Sequence, residues 1–169
     1  MVNYVVGIDP GTKLSYSVWE DGELKITRQL APMKKKLPFK FNIVNDTELF
    51  LDMCKFKSQD HITVLIEHQW GRPISGSKQS FITGFNYGRL VMSVEETPCD
   101  KTIHYITPNE WMKHFWGKQK NTKKKLSLEY AQKLHGDKIK DHNVADAILI
   151  GKYGVDKFSK KKGKENGKG

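Results

Sequence analysis

Three carboxylates stand where carboxylates are costly. Asp9 closes the apolar run Tyr4-Val5-Val6-Gly7-Ile8, and Glu67 closes Ile62-Thr63-Val64-Leu65-Ile66. Asp146 sits inside Val144-Ala145-Asp146-Ala147-Ile148-Leu149-Ile150. An isolated buried carboxylate is unfavourable, so such groups are paired, protonated or bound to a cation. Small Ala145 and Ala147 allow the chain around Asp146 to approach a sheet closely. If the strands ending in Asp9 and Glu67 are parallel neighbours, all three acids converge at one end of that sheet. A hard cation such as Mg²⁺ prefers this oxygen donor set. Two such ions roughly 4 Å apart can activate a water and stabilise the leaving 3′ oxygen of a phosphodiester.

Helical spacing adds candidates around Asp146. Asn143 and His142 precede it by one helical turn and share its face. His142 is either a plain helix-start residue or a ligand or proton-transfer group. Asp141 lies one residue further out and is expected to point elsewhere unless the helix starts late.

The elements that must position these groups follow from pattern. Tyr4–Ile8 is a strand, Tyr16–Trp19 a second, and Asp21-Gly22 a hairpin turn leading to a third strand over Leu24–Gln29. Residues Ala31–Phe41 mix Lys, Pro and apolar side chains and read as a loop. A helix is expected from Asp46, a candidate N-cap, through Leu49, Phe50, Met53 and Phe56. Ile62–Ile66 is the best strand in the chain. Gly71-Arg72-Pro73 and Gly76 make a loop before a helix over Ser77–Val94. Gly84 and Gly88, one turn apart in that helix, cost roughly 1 kcal/mol each relative to alanine. Something is therefore expected to pack close to the backbone there, either the sheet or a second subunit.

Thr102–Ile106 is a further strand. Thr107-Pro108-Asn109-Glu110 is a capping box with Pro at the first helical position, and it opens a helix carrying Trp111, Met112, Phe115 and Trp116. Asn121-Thr122 is expected to cap the next helix, and Asn143–Tyr153 reads as the last. Three strands, then helix, strand, helix, strand and helices argue an α/β domain with a mixed central sheet.

Composition bounds the partners. The chain has 169 residues, enough for one domain with a real core. Its 29 Lys and Arg against 19 Asp and Glu give a formal charge of +10, which favours polyanions, nucleic acid above all. The surplus gathers at Lys34-Lys35-Lys36, between Lys118 and Lys125, and after Tyr153. Ser159–Gly169 holds no core former and reads as a disordered tail. No apolar run approaches a transmembrane length, and Met1-Val2-Asn3-Tyr4 shows no secretory signal. Cys54 and Cys99 are unclustered, as expected of reduced thiols in a cytoplasmic protein.

At the residues that carry its chemistry the sequence resembles the RuvC family of Holliday junction resolvases, within the RNase H-like superfamily. The matching pieces are Gly7-Ile8-Asp9-Pro10-Gly11-Thr12, Ile66-Glu67, the Gly84/Gly88 helix, Ile106-Thr107-Pro108 and Ala145-Asp146-Ala147 with its apolar continuation. They fall in the family's order and cover nearly all of the chain except the basic tail. The short length and divergent loops look more like phage or viral members.

The resemblance implies an RNase H-like nuclease domain over residues 1–155 followed by a basic tail over 156–169. It implies a homodimer that cuts four-way and related branched DNA with Mg²⁺, or Mn²⁺ in its place, without a small-molecule cofactor or membrane. The setting is the cytoplasm of a bacterial cell or phage-infected host. Asp9, Glu67 and Asp146 would be metal-binding carboxylates. The family's fourth ligand, an acid or histidine, falls at Asn143, so Asn143, His142 and Asp141 all stay open for that role. Lys113 and Lys123, with Lys124 as an alternative to the second, would hold the scissile phosphate. The helix over Ser77–Val94 would form the dimer interface, with Phe81 and Phe85 facing the opened junction.

Two other readings compete. A non-catalytic binder of the same fold would account for Asn143 at the fourth-ligand position. An ATP-dependent phosphotransferase shares the opening motif, but the chain is too short for the two lobes such enzymes need.

Overall fold

The first apolar runs form the centre of the sheet because they are apolar on both faces. The computed structural model describes residues 3–11, 13–35, 41–57, 60–69, 76–117 and 123–158. Strands β1 (Asn3–Asp9), β2 (Ser15–Glu20), β3 (Glu23–Gln29), β6 (His61–Glu67) and β7 (Lys101–Ile106) form one five-stranded sheet in the order β3-β2-β1-β6-β7. β1 pairs antiparallel with β2 and parallel with β6, and β7 pairs parallel with β6. The sheet is mixed, as the sequence indicates. The β2–β3 turn uses Asp21 and Gly22, both at positive φ, the geometry of a tight two-residue hairpin.

Between these strands lie a small hairpin of β4 (Met33–Lys35) and β5 (Phe41–Ile43) and helix α1 (Asp46–Met53). The hairpin corrects the expected loop over Ala31–Phe41. Its strands, Met33-Lys34-Lys35 and Phe41-Asn42-Ile43, are too short to show a period-two pattern. Helix α2 spans Ser77–Glu95, α3 Pro108–Trp116, α4 Lys123–His135 and α5 His142–Phe158. The last helix runs past Tyr153 and past the expected domain end at residue 155. Asn121, Thr122 and the tail from residue 159 lie outside the described residues.

Period-two alternation sorts the core into two layers. Val6, Ile8, Tyr16, Val18, Ile62, Val64 and Ile66 face Leu49 and Met53 of α1 and Leu90 and Val94 of α2. Val5, Trp19 and Leu65 face Ala145, Ile148, Leu149 and Tyr153 of α5, with Trp111, Trp116 and Ala131 of α3 and α4. Asp9 and Glu67 follow the odd-numbered positions of their strands and so belong to the α5 side.

α5 lies unusually close to the sheet. A Cβ on Gly7 would fall 2.2 Å from the Gly151 backbone nitrogen and 2.7 Å from the Ala147 carbonyl. A Cβ on Gly151 would fall 2.3 Å from Trp19 Nε1, and one on Gly154 would fall 2.4 Å from Leu65. Ser17 Oγ donates to the Ala147 carbonyl at 2.7 Å and accepts from Trp19 Nε1 at 3.1 Å. Close approach thus depends on Gly7, Gly151 and Gly154 as well as on the flanking alanines. Val5 sits by Gly154 and Gly7 by Gly151, so α5 runs antiparallel to β1 and brings Asp146 toward Asp9.

The structure settles the alternatives for the α2 glycines within this chain. A Cβ on Gly84 or Gly88 would meet nothing within 4 Å. The sheet does not pack there. Asp46 does not cap α1 either: Asn45 holds the N-cap position, and the buried Asp46 carboxylate accepts from Arg89 at 2.7 Å and Ser93 at 2.7 Å.

Candidate active site at the end of the central strands

Register lines up one end of the sheet residue by residue. Ile8 pairs with Ile66, so the next residues, Asp9 and Glu67, leave adjacent parallel strands side by side. Asp9 also pairs with Ser15, Ser15 with Gln29, and Glu67 with Ile106. The row Gln29–Ser15–Asp9–Glu67–Ile106 therefore spans the sheet under the start of α5 and the start of α3.

Asp9 is 7% exposed, and its Oδ1 accepts the Gly11 N–H at 3.3 Å. Burial, then the charges of Glu67, Asp146 and Asp141, raise its pKa well above the usual carboxylate range, against the smaller opposite effect of the Gly11 hydrogen bond. Burial pushes Glu67 up to about 7, with the Asp146 charge adding to the rise and a hydrogen bond from Trp111 opposing it. Asp9, Glu67 and Asp146 thus feel one another across a poorly solvated space. Among the described residues, no three His, Cys, Asp or Glu side chains stand close enough together to form a metal cage. The donor set suits a hard divalent cation all the same. It offers carboxylate oxygens whose mutual repulsion a cation would relieve.

Asp141 is where the structure departs from expectation. The helix begins at His142, and Asp141 caps it: Oδ1 accepts the Asn143 N–H at 2.8 Å and its carbonyl accepts the Ala145 N–H at 3.0 Å. Gln29 Nε2 donates to the same Oδ1 at 2.7 Å. As a cap rather than a helical residue, Asp141 turns toward the sheet and contributes to the raised pKa of Asp9. Asn143 and His142 occupy the first turn, near Asp146 but with no role fixed by geometry.

Two further residues escaped the sequence reading. Gln29 reaches the site because the hairpin register carries it to the Asp9 end. Trp111 reaches Glu67 because the Thr107–Glu110 capping box forms and starts α3 directly above that strand end. The box is visible in sequence, but the direction of the indole is not.

Other expected residues stand apart from the acids. Lys113 is exposed on α3. Lys123 and Lys124 open α4, and their side chains lie outside the described residues, as does Thr12 of the first motif. Phe81 and Phe85 lie on α2, 50% and 40% exposed, with their rings stacked at 6.0 Å. Beside them Gly84, Phe85, Gly88, Arg89 and Met92 line an open groove of about 520 Å³.

A mixed five-stranded sheet with acids at the ends of two adjacent parallel strands, and a third on the helix across them, is a fold shared with proteins of known structure. Solved structures agree. Thermus thermophilus RuvC in complex with a Holliday junction substrate superposes with a TM-score of 0.59, covering 88% of this chain and 90% of that one at 15% identity. Thermus thermophilus RuvC in another structure gives a TM-score of 0.51, covering 88% and 91% at 17% identity. No protein-family model and no curated protein sequence matches the chain. The likeness is one of fold, spread over nearly the whole length of both proteins.

Proposed function

We propose that this chain is a divalent-metal-dependent endonuclease that cuts four-way and related branched DNA. One observation carries the reading. Asp9 and Glu67 leave adjacent parallel strands in register, with Asp146 coupled to both from α5, in a fold shared with a RuvC seen on a Holliday junction.

Asp9, Glu67 and Asp146 would hold the cation, with Asp141 as the fourth acid in preference to Asn143. Mg²⁺ or Mn²⁺, two ions per site, would supply an activated water and stabilisation of the leaving oxygen when bound. The chain's own residues do the rest. Asp9 and Glu67 present fixed carboxylates from rigid strand ends. The Gln29 bond and the α5 cap hold Asp141. His142 stands at the helix start as a proton-transfer group. Lys113, Lys123 and Lys124 hold phosphates, helped by the basic tail over residues 156–169. The open α2 face with Gly84 and Gly88 forms a homodimer, so that two sites face opposite strands, and Phe81 and Phe85 border the junction centre. Free Cys54 and Cys99 suit a reducing cytoplasm, and the divergent loops suit a phage or viral branch.

The test is incubation of a labelled four-way junction, and of a linear duplex of the same sequence, with Mg²⁺ and with EDTA. Cutting of the junction alone, lost with EDTA, is the expected result. A non-catalytic binder of the same fold is the second reading, favoured by Asn143 and by the absence of a closed acidic cage among the described residues. It predicts tight junction binding with no cut in Mg²⁺ or Mn²⁺.

A further inference from the structure

Glu67 is held by a neighbour that brings no charge. Trp111 Nε1 donates to Glu67 Oε1 at 2.8 Å. An indole N–H can only donate, and it leaves the carboxylate's negative charge intact. A lysine or arginine in its place would orient Glu67 equally well but would compete with a cation for its charge.

The donor is itself immobile. Trp111 is fully buried, and Trp116 packs edge-on against it at 5.6 Å and 84°. Its helix starts at Thr107, immediately after Ile106, the strand partner of Glu67. Glu110 fixes that start by accepting from the Thr107 N–H at 2.5 Å and its hydroxyl at 2.8 Å. Donor and acceptor therefore sit on two rigid elements anchored to the same end of the sheet. The indole bond falls on Oε1, so Oε2 is the Glu67 oxygen that it leaves to a cation beside Asp9 and Asp146, the charges coupled to this carboxyl.

We infer that Trp111 is a positioning residue that holds Glu67 in the rotamer presenting Oε2 to a divalent cation. This rests on the reading of Asp9, Glu67 and Asp146 as a cation-binding group. Partners that orient a ligating carboxylate typically change metal affinity 10–100-fold when removed.

Trp111→Phe keeps a buried ring and removes the N–H. Ca²⁺ binding by calorimetry, on purified protein without DNA, is expected to weaken about 10-fold or more. In junction cleavage, the half-saturating Mg²⁺ concentration should rise by a similar factor, with little change in rate at saturating Mg²⁺. Trp116→Phe is the control: it removes comparable packing next door, so it should lower Tm yet leave Ca²⁺ affinity unchanged. Ca²⁺ affinity of Trp111→Phe equal to that of the original protein overturns the inference, while the cation site itself stands. Absence of any Ca²⁺ or Mn²⁺ binding by the original protein removes the site reading and the inference together. Should Trp111→Phe fail to fold, the ¹⁵N-indole resonances of the original protein decide. One of the four must shift on Ca²⁺ addition and lose that response in Glu67→Gln. No such shift at saturating Ca²⁺ overturns the inference.

Discussion

Glu67 shows how a single carboxyl can make a protein less stable in exchange for chemistry. Its folded pKa of about 7 lies above the ordinary 4.5. The folded state therefore holds a proton that the unfolded state has already released. Stability contributed by this group is present below about pH 4.5 and is lost as pH rises through 7, a change of up to about 3 kcal/mol. Asp9 shifts in the same direction and adds to the loss. Denaturant melts in EDTA should show lower stability at pH 8 than at pH 5.5, and Ca²⁺ should restore it more at pH 8. A flat profile without cation would contradict the coupling. Asp146→Asn removes one of the repelling charges. It should raise metal-free stability at pH 8 by about 1 kcal/mol while leaving junction binding intact and abolishing cleavage. Asp9, Glu67 and Asp146 were legible in the sequence because each interrupts or ends an apolar run. Gln29 and Trp111 were not, and Asp141 was only one of three open candidates beside Asn143 and His142. Asp141 depends on whether it caps or joins α5, Gln29 on the hairpin register, and Trp111 on which way an indole turns.

The β1–α5 contact is the element on which the site depends. Asp9 lies two residues beyond Gly7, and Asp146 lies next to Ala147, whose carbonyl packs against Gly7. Any side chain at Gly7 or Gly151 would wedge α5 off the sheet and separate the two acids. Gly151→Ala should destabilise the fold by about 3 kcal/mol and lower cleavage even where the protein remains folded. Chemical denaturation and single-turnover cleavage measure the two effects separately. The five main strands and α5 were readable from apolar runs, and Ala145 and Ala147 hinted at close packing. Gly7 and Gly151 gave no such hint: glycine at a strand interior and glycine in a helix read the same whether the space around them is empty or full. Gly88 makes the contrast, since it sits in a helix with open space beside it. The β4–β5 hairpin stayed hidden because strands of three residues carry too few alternations to count.

At the scale of the whole molecule, three features point outward. The formal charge of +10 favours a polyanion. Among the described residues no helix is long and apolar enough to cross a membrane. The α2 face leaves Phe81, Phe85 and Met92 exposed around an open groove. If that face joins two copies, Gly88→Ala should stabilise the isolated chain by up to about 1 kcal/mol through helix propensity. It should also weaken the dimer several-fold, because a Cβ would keep the paired helices apart. Sedimentation equilibrium beside thermal melts distinguishes this from a face open to solvent, where only the first effect would occur. Residues 159–169 carry five lysines and one glutamate. Their deletion should weaken junction binding and flatten its dependence on salt without changing Tm.

The most direct test of the central claim is strand mapping of junction cleavage. Each of the four strands of a synthetic junction is labelled in turn and incubated with the protein and with Asp146→Asn, in Mg²⁺. Paired nicks at symmetric positions on two opposing strands, made by the original protein and absent with Asp146→Asn although both bind the junction, are the expected result. Nicks that persist in Asp146→Asn, or tight binding by the original protein with no nick in Mg²⁺ or Mn²⁺, would contradict it.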